Sequence, residues 1–441
     1  MAQETLAILM FPAVIGLLVL GFQVSFSLIV VGVGFGWMLY GNLVGIQLFN
    51  VIETTASQFL LTAVPPFILM GCLLERSGIA ERLFRVVQIW VGRLPGGLGL
   101  TAMLMAGVVA ATTGIVGAVE VMIGLMAIPA MQKFGYRNDL IAGTVCAGGS
   151  LGTMIPPSLV LIVYAAVANL SVGKLFAAAI LPGVLTVALF LAYIALRCVI
   201  DPPAVRYADA EADWMAWPGK LWMTVTGLLP AVGLIVAVLG TILAGIATPT
   251  EAASVGALGA FLLAAAYGRL NRGMLIDALF TTLRLTSMIL LIVVGGSMFS
   301  SIFRGLGGTG AVQDLVAGTG FGALGIVILL LAVIFVAGFI LEWVSVLLIC
   351  LPIFVPVLEA KGVDEIWFAM LTFIMLQTSY LTPPMAPSVF YLKGIAPPDM
   401  RIGQMYLGVL PFILCQVLVL VLVMLFPGLA TWLPGELVSG F

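Results

Sequence analysis

The sequence has no histidine, and only 8% of its 441 residues are charged. Without an imidazole there is no histidine metal ligand, no Ser-His-Asp triad and no histidine proton relay near neutral pH. A soluble domain carries roughly 25% charged residues, because its surface must face water. This chain is 63% apolar with a mean hydropathy of +1.26, which excludes a soluble enzyme. Its formal net charge of −2 supplies no basic field for nucleic acid. Cys72, Cys146, Cys198, Cys350 and Cys415 lie in or at the ends of apolar runs without C-x-x-C spacing, and read as small buried hydrophobes. No basic segment precedes the first apolar run, which follows Glu4, so no cleavable signal peptide is expected.

What is present in abundance is apolar sequence long enough to cross a bilayer. A spanning helix needs roughly 20 mainly apolar residues. Such runs occupy 5–21, 24–41, 60–75, 139–168, 174–197, 220–241, 250–268, 277–298, 363–392 and 402–426. Two more apolar regions are interrupted near their middles: 99–132 by Thr112-Thr113-Gly114, and 322–358 by Glu342-Trp343. Most of their arms are short for a crossing, which reads as two re-entrant helical hairpins, with full spans as the alternative. Either way each makes an even number of passes and leaves the orientation of its neighbours unchanged.

Lys and Arg concentrate in loops that share one side. With the N-terminus outside, thirteen of them, from Arg76 to Arg401, fall inside, and only Lys174, Arg304 and Lys361 fall outside. Arg284 is left within a span, and it and Glu251 read as structural groups near an interface. The polar stretch 198–219 reads as a cytoplasmic linker, with Trp214, Trp217 and Trp222 in an aromatic belt. Segments 42–58 and 76–93 read as interfacial amphipathic helices.

Sliding the chain by 227 positions lays Pro129 on Pro356, Gly135 on Gly362, Pro156-Pro157 on Pro383-Pro384 and Tyr164 on Tyr391 without a gap. The charge count orients the halves oppositely, so the chain reads as an inverted repeat, the structural basis of alternating access in many secondary transporters. The expected fold is an all-α polytopic membrane protein. Residues 1–58 form N-terminal scaffold helices and an interfacial helix. Residues 59–197 form the first repeat, with hairpin 99–132 and broken helix 139–168. The linker 198–219 and a second scaffold pair, 220–276, lead to the second repeat, 277–441, with hairpin 322–358 and broken helix 363–392.

The breaks carry the functional signal. SLGTMIPPSLVLIVY at 150–164 and QTSYLTPPMAPSVFY at 377–391 place tandem prolines within apolar runs, where the ring removes a backbone donor and clashes with the preceding turn. Freed carbonyls must then line a cavity or hold a cation. The first half-helices would present C-terminal partial negative charge, suited to Na⁺. The second, beginning at Pro156 and Pro383, would direct N-terminal partial positive charge at an anion. Two breaks lead to an expectation of at least two Na⁺ sites. Glu342, a carboxylate at membrane depth, reads as a cation ligand, whereas Glu120 admits either that role or pairing with a neighbour. Candidate Na⁺ residues are Thr112, Gly149, Gly152, Thr153, Glu342, Thr378 and Ser379; candidate substrate residues are Thr113, Gly114, Pro156, Ser158, Thr382 and Pro383.

Together with GIATPTEAASVGALGAF at 245–261, AIPAMQKFGY at 127–136, ATTGIVGAVEVMIGL at 111–125 and LTPPMAPSVFYLKGIAPP at 381–398, these motifs resemble the large membrane subunit of tripartite ATP-independent periplasmic (TRAP) transporters. They are most similar to the branch named for mannitol, chloroaromatic compounds and related organic acids. The resemblance implies an elevator-type, sodium-coupled importer of a small organic anion in the bacterial inner membrane. It also implies two partners: a small four-helix membrane subunit and a periplasmic substrate-binding protein. Other branches carry Ser-Gly-Ser and Phe-Leu-Asp at the hairpin tips, where this chain has Thr113-Gly114-Ile115 and Ile340-Leu341-Glu342. A binding-protein-independent sodium/anion carrier would share the architecture. A membrane-embedded enzyme would need paired catalytic carboxylates or a Ser/Lys arrangement on facing helices, and no such pattern is seen.

Overall fold

The computed structural model describes residues 3–114, 116–202 and 217–438; of Thr113 and Val438 it describes the backbone alone. Ile115 and most of the linker, 203–216, lie outside the described residues. The described chain is helical, with no strand among its elements. In order these are α1 (Gln3–Val19), α2 (Val24–Tyr40), α3 (Val44–Ala56), α4 (Val64–Arg76), α5 (Ile79–Val91), α6 (Gly97–Thr113), α7 (Val116–Lys133), α8 (Asn138–Ser150), α9 (Leu159–Ala168) and α10 (Val172–Ile200). There follow α11 (Trp217–Gly227), α12 (Leu229–Leu243), α13 (Pro249–Ala266), α14 (Arg272–Gly305), α15 (Gly308–Gly318), α16 (Ala323–Ile340), α17 (Trp343–Ala360), α18 (Glu365–Leu381), α19 (Pro387–Ile395), α20 (Ile402–Leu425) and α21 (Gly428–Val438).

The repeat read from five anchor residues extends to most of the described helices. Shifted by 227, α7 falls on α17 end to end, α6 on α16, α8 on α18, α9 on α19 and α10 on α20, while α1 and α2 fall on α12 and α13. The tandem prolines are cis in both halves, and Gly135 and Gly362 share a positive φ, 74° and 65°. Ser150 and Gln377, equivalent under the shift, hydrogen-bond to each other at 3.2 Å, which puts them on the axis relating the halves. The packing follows the same symmetry: α7 of the first hairpin lies on α19 of the second half, and α17 of the second hairpin lies on α9 of the first. Around this inner group, α2 packs on α14 and α4 on α13.

The symmetry fails in one place, for a legible reason. The counterpart of α3 and α4 is the single α14, 34 residues and about 51 Å long at 1.5 Å per residue. Pro65 and Pro66 open α4 and interrupt any helix running in from α3. Their positions correspond to Ile292 and Val293, which propagate the helix. The expected span 277–298 is therefore longer at both ends. The expected span 220–241 is two helices, α11 and α12, bent by 41°. Glu251, read as structural, closes a capping box with Thr248, accepting from its backbone N–H at 2.8 Å. Hairpin arms α6, α7, α16 and α17 have 17, 18, 18 and 18 residues, about 26–27 Å each at 1.5 Å per residue.

Candidate substrate and cation site

Each hairpin tip rests on the break of its own half. In the first half α6 ends at Gly114, whose φ of 61° favours glycine, and a Cβ there would lie 3.1 Å from the Leu159 backbone nitrogen. The break runs from a 3-10 turn at Leu151–Thr153 to Ser158, so α9 starts three residues later than the expected Pro156. Tandem prolines offer no N–H to a helical ladder, and the chain resumes helix only once Ser158 can cap it. The Ser158 hydroxyl donates to the carbonyls of Gly152 at 3.0 Å and Thr153 at 3.2 Å, and accepts from the Val160 N–H at 3.3 Å. Two of the carbonyls freed by the break thus share this one hydroxyl proton within the protein. Thr112 donates to the Val109 carbonyl at 2.7 Å and Thr153 to that of Ser150 at 3.0 Å. Gly149, Gly152, Thr153, Pro156 and Ser158 are all buried, so in this conformation the first break is sealed.

The second break is open. Helix α19 starts at Pro387, four residues beyond the expected Pro383, since Thr382–Ala386 contains the tandem prolines and Ala386 adopts a left-handed φ of 37°. Thr378, Ser379 and Thr382 each donate to a carbonyl one turn back, of Ile374, Leu376 and Thr378, at 2.7–2.8 Å. Such hydroxyls keep lone pairs that can face a cation. The second hairpin closes over them: a Cβ on Gly338 would meet the Ser379 hydroxyl. Glu342 occupies the N-cap position of α17, yet its side chain caps nothing and stays half-buried. It lines a cavity of about 930 Å³ with Tyr380, Met385, Pro387, Phe390 and Tyr391.

Two further charged residues shape the site. Arg284, on α14, also lines this cavity, so a basic and an acidic residue border one space. Its sequence signal, a charge stranded in an apolar span, was present, but only the fold shows what lies across from it. Glu120, on α7, is fully buried beside Ser388 of α19, and Gly149 makes room for it, since a Cβ there would collide with the Glu120 side chain. Tyr380 and Tyr391 lie within electrostatic reach of both Glu120 and Glu342, so the two acids flank the second break. The candidate residues therefore form two tip-on-break clusters rather than one, joined through Ser150–Gln377 and the α7–α19 contact.

This arrangement suits binding and release, not bond chemistry, and known proteins agree. The fold resembles the YdaH transporter of Alcanivorax borkumensis, with a TM-score of 0.61 at 17% identity over 88% of this chain and 90% of that one. The C4-dicarboxylate TRAP transporter large permease protein DctM of Pseudomonas aeruginosa is 31% identical over 87% of this chain and 88% of its own. The sialic acid TRAP transporter large permease protein SiaM of Vibrio cholerae is 30% identical over 97% and 98%. Residues 11–429 match the family described as the tripartite ATP-independent periplasmic transporter, DctM component. The chain is a multi-pass membrane protein and a transporter permease rather than an enzyme, and it belongs to the DctM family of TRAP transporter large permeases.

Proposed function

We propose that this chain is the large permease of a sodium-coupled importer that carries a small organic anion across the bacterial inner membrane by elevator movement of its inner helices. The anion arrives from a periplasmic binding protein, and a small membrane subunit flanks the outer helices. The observation that carries this reading is the cavity in which the second break, the Glu342 carboxylate and the Arg284 guanidinium meet. One wall belongs to α14 of the outer group and the other to the hairpin and broken helix of the inner group, so motion of one group past the other changes the site's access.

The relatives support the substrate class. One is named for C4-dicarboxylates and the other for sialic acid, both carboxylates, and both are called large permeases, which implies a small one. Hydroxyl and carbonyl oxygens around Thr378, Ser379 and Glu342 are hard ligands that favour Na⁺ over softer metals. Inward movement of each cation is worth about 2.3 kcal/mol per 100 mV of membrane potential, a sufficient driving force for accumulation. Uptake by proteoliposomes containing this permease, its small subunit and the binding protein tests the reading. Replacing external Na⁺ by choline abolishes uptake if it holds; unchanged uptake refutes sodium coupling.

A further inference from the structure

Among the described residues Glu120 is the acidic side chain with no exposed surface. Neither of its carboxylate oxygens has a hydrogen-bond partner, and no ion pair among the described residues includes it. Ser388 of α19 is also fully buried and lies close enough to act on the Glu120 carboxyl, but its hydroxyl forms no hydrogen bond of good geometry with it or with any other group. Two buried oxygen-bearing groups thus face each other across an imperfect contact, at a junction of three helices drawn from both halves. Burying a poorly partnered hydroxyl is costly in an apolar medium, and an isolated carboxylate costs far more. A membrane-depth acid of this kind is paired or functional.

We infer that Glu120 and Ser388 are ligands of a monovalent-cation site between α7, α8 and α19, and that its ion is Na⁺. The carboxylate supplies the charge and Ser388 a neutral oxygen. Gly149 lets the last turn of α8 approach, bringing the partial negative charge of a helix C-terminus to the same place. The site lies beside the tip-on-break clusters and shares Gly149 with the first of them. It would tie the first hairpin to the helix that follows the second break, so an ion there would stiffen the wall that carries Pro387, Phe390 and Tyr391 into the cavity. Ion binding would in this way order the anion's surroundings. The inference rests on sodium coupling as proposed above and assigns it a residue that neither tip nor break contains.

The probe is the ion alone. The permease, purified with its small subunit, is melted in increasing NaCl, with choline chloride holding ionic strength constant, and the melting temperature is followed. The wild type is expected to rise with Na⁺. Glu120→Gln should raise the half-saturating Na⁺ concentration at least tenfold. If Glu120→Gln yields no folded protein, Ser388→Ala decides, and should shift the half-saturating concentration several-fold. A wild-type response left unchanged by the deciding variant overturns this site and leaves sodium coupling standing, with Glu120 then a neutral acid holding its own proton. A wild type indifferent to Na⁺ overturns both.

Discussion

Ser158 and Glu342 both stand at helix N-caps, yet their chemistry is opposite. Ser158 spends its hydroxyl on the fold, donating toward two carbonyls and accepting one N–H. Replacing it by alanine strands buried polar groups, and the loss should be about 1–3 kcal/mol, read as a lower melting temperature in either salt. Glu342 makes no hydrogen bond in the fold and faces the cavity. Glu342→Gln should leave the melting temperature in choline within about 1 °C of wild type, because the side chain is isosteric and has no hydrogen bond in the fold to lose, while uptake falls at least tenfold. A variant that melts early and still transports would reverse this assignment. Sequence reading takes Ser158 for a substrate residue and Glu342 for a cation ligand; which groups accept each hydrogen bond, visible only in the fold, is what sets their roles apart. The same limit hid Arg284: the stranded charge was visible, but the carboxylate and tyrosines across the cavity come from segments about 60 to 110 residues away.

Elements were more legible than residues, because hydrophobic run length and proline position act locally. The runs read as spans became helices whose ends shifted by a few residues, and both tandem-proline breaks lie where backbone donors disappear. The elements that escaped notice, α15 and α21, are 11-residue helices. They are too short to stand out by length, and they carry three and two glycines respectively, which weaken a helical signal. What no sequence pattern gives is which elements slide. Helix α14 is fastened to α17 by the Ser300 hydroxyl, which donates to the Leu348 carbonyl at 2.8 Å. Elevator movement requires that contact to part. Cysteines at Ser300 and Leu348, bridged by a short bifunctional thiol reagent, should arrest uptake, while each single variant treated alike continues to transport. Uptake by the bridged pair would mean that α14 and α17 travel together and that the moving boundary lies elsewhere.

At the scale of the molecule, two halves related by the repeat hold their breaks in different states. Tyr164 and Tyr391 are equivalent under the repeat, yet Tyr164 is 1% exposed against Phe373 whereas Tyr391 is 47% exposed in the cavity. A symmetric pair of bundles in asymmetric conformations is what a two-state exchanger needs, since interchange of the two conformations moves access from one face to the other. The cavity meets α14 between Phe280 and Met288, nearer its Arg272 end, which the charge count places in the cytoplasm. A second crevice of about 680 Å³ meets the same helix from Val293 to Arg304, toward the outer face, without reaching Glu342. With the orientation that the charge count gives, the second break opens inward. Met385, 47% exposed in that cavity, reports on it, and the native cysteines give a low background because four of the five are buried. Met385→Cys should react with a membrane-impermeant thiol reagent in inside-out vesicles and resist it in right-side-out vesicles. Faster reaction from the outer face would invert the orientation, and with it the direction in which the second break opens.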